Sequence, residues 1–270
     1  MKSKFSERWR QMSKKERAAR VIAIILFISL VFSVVFSLVR FLLAPETPPA
    51  DGPYVKVKSD YLLMLFQCVM GIAVMLLPSL LSHRWNITLS SNVVILYYIF
   101  LYCAIYLGEV REFYYRIPHW DSMLHAFSGA MLGALGFVLV DLLNRDSHVR
   151  VSLSPFFVSV FAFCFALAVG ALWEIYEFSF DRLLGLNMQK HTTAEGVALS
   201  GAEALSDTMK DLIIDALAAL AVSVFAFLTR KREKKAAPAP ETVEAPVADA
   251  VPEDALADEE VLANEEAARP

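Results

Sequence analysis

Long apolar runs separated by short polar stretches dominate the pattern of this chain. The runs cover 21–43, 61–81, 93–108, 122–143, 156–180 and 208–229, and most approach or exceed the roughly 20 residues an α-helix needs to cross a bilayer. Within each run the apolar positions are continuous rather than confined to one stripe, which describes helices surrounded by apolar material on every side. The pattern predicts an all-α fold, a polytopic helical membrane protein of about six transmembrane helices. The third run is the shortest and can extend toward Arg111. Its Tyr97, Tyr98, Tyr102 and Tyr106 mark an interfacial and packed aromatic face.

Composition points the same way. Hydrophobic residues make up 57% of the 270 and mean hydropathy is +0.49, outside the range of an ordinary soluble domain. The formal net charge of −4 averages two basic segments and an acidic tail, so its distribution carries more information than its sum. Lys2, Lys4, Arg8, Arg10, Lys14, Lys15, Arg17 and Arg20 precede the first run, and Arg230, Lys231, Arg232, Lys234 and Lys235 follow the last. The positive-inside rule then places both termini in the cytoplasm, as an even number of spans requires. Turns at 83–92 and 144–154 fall on the cytoplasmic side, and loops at 45–60, 109–120 and 181–207 on the extracytoplasmic side of the cell membrane. The first run exceeds the roughly 7–15 apolar residues of a signal peptide and no small-residue cleavage site closes it, so it reads as a retained anchor.

Four regions follow: a basic cytoplasmic N-terminus at 1–20, three transmembrane helices at 21–108, a membrane core at 109–229, and at 230–270 a basic stop followed by a tail rich in Ala, Pro and Glu. The tail lacks aromatic residues and has a composition that stays disordered. Cys68, Cys103 and Cys164 each sit within an apolar run and read as packing residues rather than disulfide partners. The expected partner is the lipid bilayer, with no nucleic acid.

Candidate chemistry lies at one end of three runs. A charged group at the centre of a span costs about 2.5–3.5 kcal/mol on insertion scales, so groups placed there need a reason. Asp121 and His125 are four residues apart and share a helix face. They can ligate one metal, the Asp can orient the imidazole as a base, or the pair can be an N-cap and a structural His. Glu174 and Glu177 also share a face. Like charges so close require a cation between them or a proton, and either a divalent ion or one of Arg111, Arg116 and Arg182 could supply it. Asp207, Asp211 and Asp215 repeat at four-residue spacing. Asp207 suits an N-cap, whereas Asp215 lies about 12 Å deeper at 1.5 Å per residue and must be paired, metal-bound or neutral. Gly129, Gly133 and Gly136 give the fourth helix a small-residue face that permits close helix approach. Arg111 and Arg116, in a loop of acids and aromatics, are candidate ligands for an anionic head group, or interfacial anchors.

The order D-x-x-x-H from Asp121, W-E-x-x-E from Trp173 and D-T-x-x-D-x-x-x-D from Asp207, followed by Ala219 and Leu220, resembles the uncharacterised YjdF-like multi-pass membrane family over roughly 109–220. A looser similarity is to VanZ-like proteins. This chain differs from these in lacking their Arg-containing loop and in carrying Asp215 near the place of their Asn. The YjdF-like resemblance implies an integral membrane protein and no particular reaction.

The residues point to a divalent-metal site of Asp121, His125, Glu174, Glu177, Asp211 and Asp215, with Mg, Mn or Zn as the ion. Its chemistry would be hydrolysis or transfer on an envelope lipid or lipid-linked substrate, with His125 and Asp211 as catalytic candidates and Arg111 and Arg116 as substrate-binding ones. An ion or proton transporter and a non-catalytic scaffold or envelope-stress protein held by salt bridges account for the same acids. The assigned orientation has a direct check. A Cys introduced in the 184–203 loop is expected to react with an impermeant thiol reagent on intact cells, and labelling only after lysis would invert the topology.

Overall fold

The computed structural model of the chain describes residues 9–49, 54–85, 89–143 and 153–236. Its elements are α1 (Lys14–Leu43), α2 (Lys58–Val74), α3 (Leu77–Trp85), α4 (Ser91–Leu101) continuing as a π-helical segment (Tyr102–Val110), the single turn α5 (Phe113–Arg116), α6 (Trp120–Leu143), α7 (Pro155–Leu184) and α8 (Ala202–Ala236). Six stretches are long and apolar enough to cross a membrane, with α2 and α3 forming one of them and α4 with the π segment another. The fold is all-α with six candidate spans, as the apolar runs predict. The chain divides into two units, Met1–Arg230 and Lys231–Pro270. The first holds the apolar clusters and the acidic segments, and the tail expected to be disordered, beyond residue 236, lies outside the described residues.

Local chemistry sets most helix ends. Ser13 and Glu16 form a reciprocal box at the start of α1, Glu16 N–H donating to Ser13 Oγ at 3.2 Å and Ser13 N–H to Glu16 Oε2 at 2.7 Å, which satisfies two donors the helix itself cannot. Ser154 caps α7 with Pro155 in its first turn, and Gly185 closes the helix at φ 63°, a left-handed conformation that costs glycine nothing. Asp207 is not the N-cap that its position suggests. The helix begins at Ala202, because Ala202, Glu203, Ala204 and Leu205 are good helix formers, and Asp207 falls in the second turn.

The second apolar run is not one continuous helix. Pro78 has no N–H to give the carbonyl of Val74, four residues back, and its ring crowds that carbonyl. The helix breaks between Val74 and Leu77. The freed Val74 oxygen is met by Tyr97 Oη, donated from α4 at 2.6 Å. Backbone groups inside a membrane must find a partner within the protein, so a tyrosine of the next span completes the broken one.

Three apolar clusters hold the bundle, the smallest of them Leu63 of α2 against Leu186 and Met188 of the loop after α7. Leu26 and Leu30 of α1 pack with Met64 and Cys68 of α2 and with Leu101, while Phe137 and Val140 of α6 pack with Val158 and Ala162 of α7. Cys68 is buried, Cys103 half-buried and Cys164 exposed, and all are free thiols. The small-residue face of α6 serves two neighbours. A Cβ on Gly136 would lie 2.7 Å from Ala162 Cα in α7, and one on Gly129 would lie 2.7 Å from the Asp215 carbonyl oxygen in α8. At the far end of α6, Asp141 meets Arg230 of α8 at 2.7 Å. Large side chains such as Phe32, Leu42 and Phe225 point away from the bundle and are exposed, the surface a lipid solvent would cover.

Tyr97→Phe removes the donor and strands the Val74 carbonyl. It is expected to destabilise the protein by about 1–3 kcal/mol, the cost of an unsatisfied buried acceptor. Thermal unfolding in detergent reads this, and an unchanged midpoint would show that Val74 finds another partner.

Candidate metal centre

Helix direction brings the three acidic segments to one end of the bundle. The first turns of α6 carry Asp121 and His125, the last turns of α7 carry Glu174 and Glu177, and the first half of α8 carries Asp207, Asp211 and Asp215. On α8 the buried positions are Asp211, Asp215, Ala219 and Ser223, a four-residue spacing that forms one stripe toward the bundle. Alanine and serine continue that stripe below the acids, so α8 lies close to α6. The close approach at Gly129 fixes the height at which Asp215 enters the interior.

His125 is the hub. Its Nδ1 lies 3.2 Å from Asp215 Oδ2. With Asp215 ionised, Nδ1 donates in this pair, and a neutral ring would then present the Nε2 lone pair on its other side. Nε2 faces Glu174 Oε1 at 3.7 Å and Asp121 Oδ1 at 3.8 Å. One donor atom each from Asp121, His125 and Asp211 lie within 4.8 Å of one another. His125, Glu174, Asp211 and Asp215 are 7, 5, 6 and 2% exposed.

Space for Asp215 is made by the absence of side chains. A Cβ on Gly170 of α7 would stand 2.6 Å from Asp215 Oδ2, which would push the carboxylate off the imidazole. With Gly129, this means that two helices give up a side chain at the same residue. Ser128 Oγ lies 3.3 Å from Asp215 Oδ1 and 2.9 Å from the His125 carbonyl, and its single proton serves one of them at a time.

Glu174 Oε1 is buried without a hydrogen-bond partner. Among the described residues the other such atoms belong to Ser37, Trp120 and Ser223, all neutral groups. An unpartnered carboxylate oxygen is far more costly to bury than a hydroxyl. Ligands held at about 2.0–2.2 Å from one ion sit about 3–4 Å apart; His125 and Asp121 already stand at 3.8 Å, and Asp211 completes a set whose donors all lie within 4.8 Å of one another, with Glu174 on the same side of the ring.

The arginines expected near these acids are elsewhere. Arg116 pairs with Glu112, Arg182 lies over the Phe178 ring at 5.8 Å, and Arg111 is exposed. Among the described ion pairs none joins Glu174 or Glu177 to an arginine. The cation at this end is Lys190, which sequence reasoning did not single out. Its Nζ meets Glu109 Oε2 at 2.7 Å and sits over the Tyr114 ring at 4.9 Å. Burial pulls the pKa of this ammonium down, but Glu109 beside it, together with Tyr115 and Glu177, outweighs burial and the net shift is upward. Lys190 is therefore a fixed positive charge. It holds a left-handed φ of 53° in a loop tied down by Asp181, whose carboxylate accepts from Met188 N–H at 2.7 Å and Gln189 N–H at 3.0 Å. The one sequence signal for it is that no other Lys or Arg occurs between Arg182 and Lys210.

Comparison with known proteins adds a family and no reaction. A family model described as predicted membrane protein (DUF2238) matches residues 53–232. An uncharacterized protein of Thermotoga maritima is 30% identical over 139 residues, 51% of this chain. The chain spans 58% of that relative's length. No solved structure matches the chain.

Gly170→Ala and Asp215→Asn are each expected to release His125 from its Nδ1–H tautomer with helix content unchanged. Ring-nitrogen NMR of labelled histidine in detergent-solubilised protein reads the tautomer. Retention of Nδ1–H in both variants would mean that Asp215 does not orient the ring.

Proposed function

We propose, for a chain that belongs to the DUF2238 family of predicted membrane proteins, that Asp121, His125, Glu174 and Asp211 bind a divalent metal ion and that the protein is a metal-dependent membrane hydrolase or transferase. The observation that carries this reading is the divided use of one imidazole: Nδ1 is committed to Asp215 at 3.2 Å, and Nε2 faces carboxylates of which one oxygen, Glu174 Oε1, is buried and unpartnered. A carboxylate holding the far nitrogen of a metal-binding histidine is the usual way such a ligand is oriented and made more basic. Asp215, first read as a ligand, is better used as this orienting residue. Glu177, one turn outward from Glu174, is a ligand or base reserve at the mouth.

Electrostatics supports a cation. Asp121, Glu174, Glu177, Asp207, Asp211 and Asp215 converge on one end of the bundle against His125, Lys190 and the exposed Lys210 beside Asp207, an imbalance that a low-dielectric site cannot hold without added positive charge or protons. One imidazole among carboxylates suits zinc or manganese ahead of magnesium. A bound ion would polarise an ester or phosphoryl oxygen and supply a more acidic water. With both termini cytoplasmic, as the basic flanks indicate, the site faces the extracytoplasmic side, where an envelope lipid or lipid-linked compound is the natural substrate and Arg111 and Arg116 stand at the rim. The finer likeness to YjdF-like and VanZ-like proteins belongs to this reading and adds no reaction to it.

A cation or proton path is the second reading, favoured by Ser223, which is buried and unpartnered on the same stripe as Asp215. Against it, Ala219 lies between them, fully buried, with its Cα 3.5 Å from where a Cβ on Gly133 would stand. That packing leaves no polar group between the two residues along α8.

Metal analysis by mass spectrometry on purified protein tests the proposal. Wild type is expected to hold close to one divalent ion per chain, His125→Ala and Asp211→Ala to lose it, and Asp215→Asn to bind about 10–100-fold more weakly, as loss of an orienting partner does. A wild type that stays metal-free after reloading would sink the metal reading.

A further inference from the structure

A second feature at the same end of the bundle is a cavity of about 640 Å³ between the α1–α2 connection, the end of the π segment, α5 and the loop after α7. None of the residues assigned to the metal centre lines it. Its size falls in the range of about 300–1,000 Å³ typical of small-molecule sites. Its wall carries Tyr54, Lys56, Asp60, Glu109, Glu112 and Arg116, both signs of charge in one chamber.

The two signs are separated by how each group is used. Lys56 and Arg116 share one carboxylate, Lys56 Nζ meeting Glu112 Oε1 at 2.9 Å and Arg116 Nη2 meeting Oε2. Two cations on one acid leave one positive charge over. Both keep donors to spare, since an ammonium has three and a guanidinium five. Glu112 adopts a left-handed φ of 62°, a conformation with a cost for a non-glycine residue. Burial raises its pKa, yet Lys56 and then Arg116 outweigh that and hold it below the usual range, so the carboxylate stays ionised between them. On the acid side, both bonds that Asp60 accepts go to Oδ2, from Tyr54 Oη at 2.6 Å and Val57 N–H at 2.9 Å, leaving Oδ1 for a ligand. Glu109 uses Oε2 to hold Lys190.

A purely anionic ligand in this chamber would meet Asp60 and Glu109, and a purely cationic one would meet Lys56 and Arg116. We propose that the cavity binds a zwitterionic phosphoester head group, its phosphate on Lys56 and Arg116 and its ammonium toward Asp60 and Glu109. Charge-assisted hydrogen bonds of both kinds are the strong ones, and matching both signs excludes singly charged competitors. Glu109 belongs to the cavity wall and also holds Lys190, which interacts electrostatically with Glu177 and Asp121. The Glu109–Lys190 pair is therefore the partition between the cavity and the carboxylate–histidine site. What happens to the bound ester rests on the metal-centre reading, whereas binding itself does not.

Calorimetric titration of the full chain in detergent tests the proposal with three soluble probes: glycerophosphoethanolamine, glycerophosphoglycerol and inorganic phosphate. The expected result is saturable binding of glycerophosphoethanolamine, with the other two at least about tenfold weaker, and about a tenfold loss for Lys56→Gln and Arg116→Gln. Both side chains are at least partly exposed, and metal content and helix content, measured on the same samples, are expected to match wild type. Equal binding of all three probes, no saturable binding, or unchanged affinity in both variants would overturn the proposal. The ligand series does not depend on any variant folding. Native mass spectrometry from nanodiscs of mixed phosphatidylethanolamine and phosphatidylglycerol separates the sources: selective retention of the former supports a lipid, and binding of the soluble head group alone supports a free phosphoester. Protein that stays metal-free after reloading yet binds the head group would sink the metal reading and leave this one standing, while metal-loaded protein that ignores the head group does the reverse.

Discussion

Removing a carboxylate from water is costly unless hydrogen bonds, a cation or a proton replaces the lost hydration. Three helices of this protein bring such groups to one place, and the His125–Asp215 pair organises them. Asp215 is the most deeply buried acid of the site. Its bond to Nδ1 fixes which nitrogen of His125 faces Asp121 and Glu174, so the direction of the whole site follows from one hydrogen bond. The surrounding packing serves that bond. Gly129 lets α8 approach α6 at the height of Asp215, and Gly170 leaves the volume its carboxylate fills.

The periphery compensates charge in a layered way. Lys190 neutralises Glu109 at the partition, Asp181 shapes the loop that presents Lys190, and Glu112 is shared by Lys56 and Arg116. The Lys56–Glu112–Arg116 group lies outside the spans, where water lowers its cost, while Glu109 and Asp181 are buried near the ends of theirs. Among the described ion pairs the acids around His125 have no comparable set of cations, and the ion proposed for the inner site would redress that contrast with the balanced rim.

The spans were legible because an apolar run of bilayer length has few other readings. The interruption at Pro78 was visible in principle, yet its repair by Tyr97 depends on two spans meeting and has no local signal. The position of Asp207 misled because an acid before an apolar run looks like a cap, while four helix-forming residues upstream carry the helix further. At the site, the acids stood out against apolar surroundings. Lys190 did not, since a lone lysine in a polar loop has the composition of a solvated residue, and its importance follows from a left-handed backbone and from Asp181. The contact of Asp215 with Nδ1, on which its proposed orienting role rests, was equally invisible, because spacing along α8 gives the face and not which nitrogen of His125 lies opposite.

The π-helical end of the third span has a wider consequence. From Tyr102 the backbone bonds one residue further back, as when Arg111 N–H donates to Tyr106 O at 2.9 Å, so the chain gains a residue without completing the corresponding α-turn. One residue of an α-helix is about 100° of azimuth. The segment thus acts as a phase shifter: the lower part of the span can keep the angular setting that its lipid and α1 contacts demand, while Glu109 emerges on the bearing that Lys190 requires. The bearing of Glu109 is thereby separated from the bearing of the α4 face packed on α1.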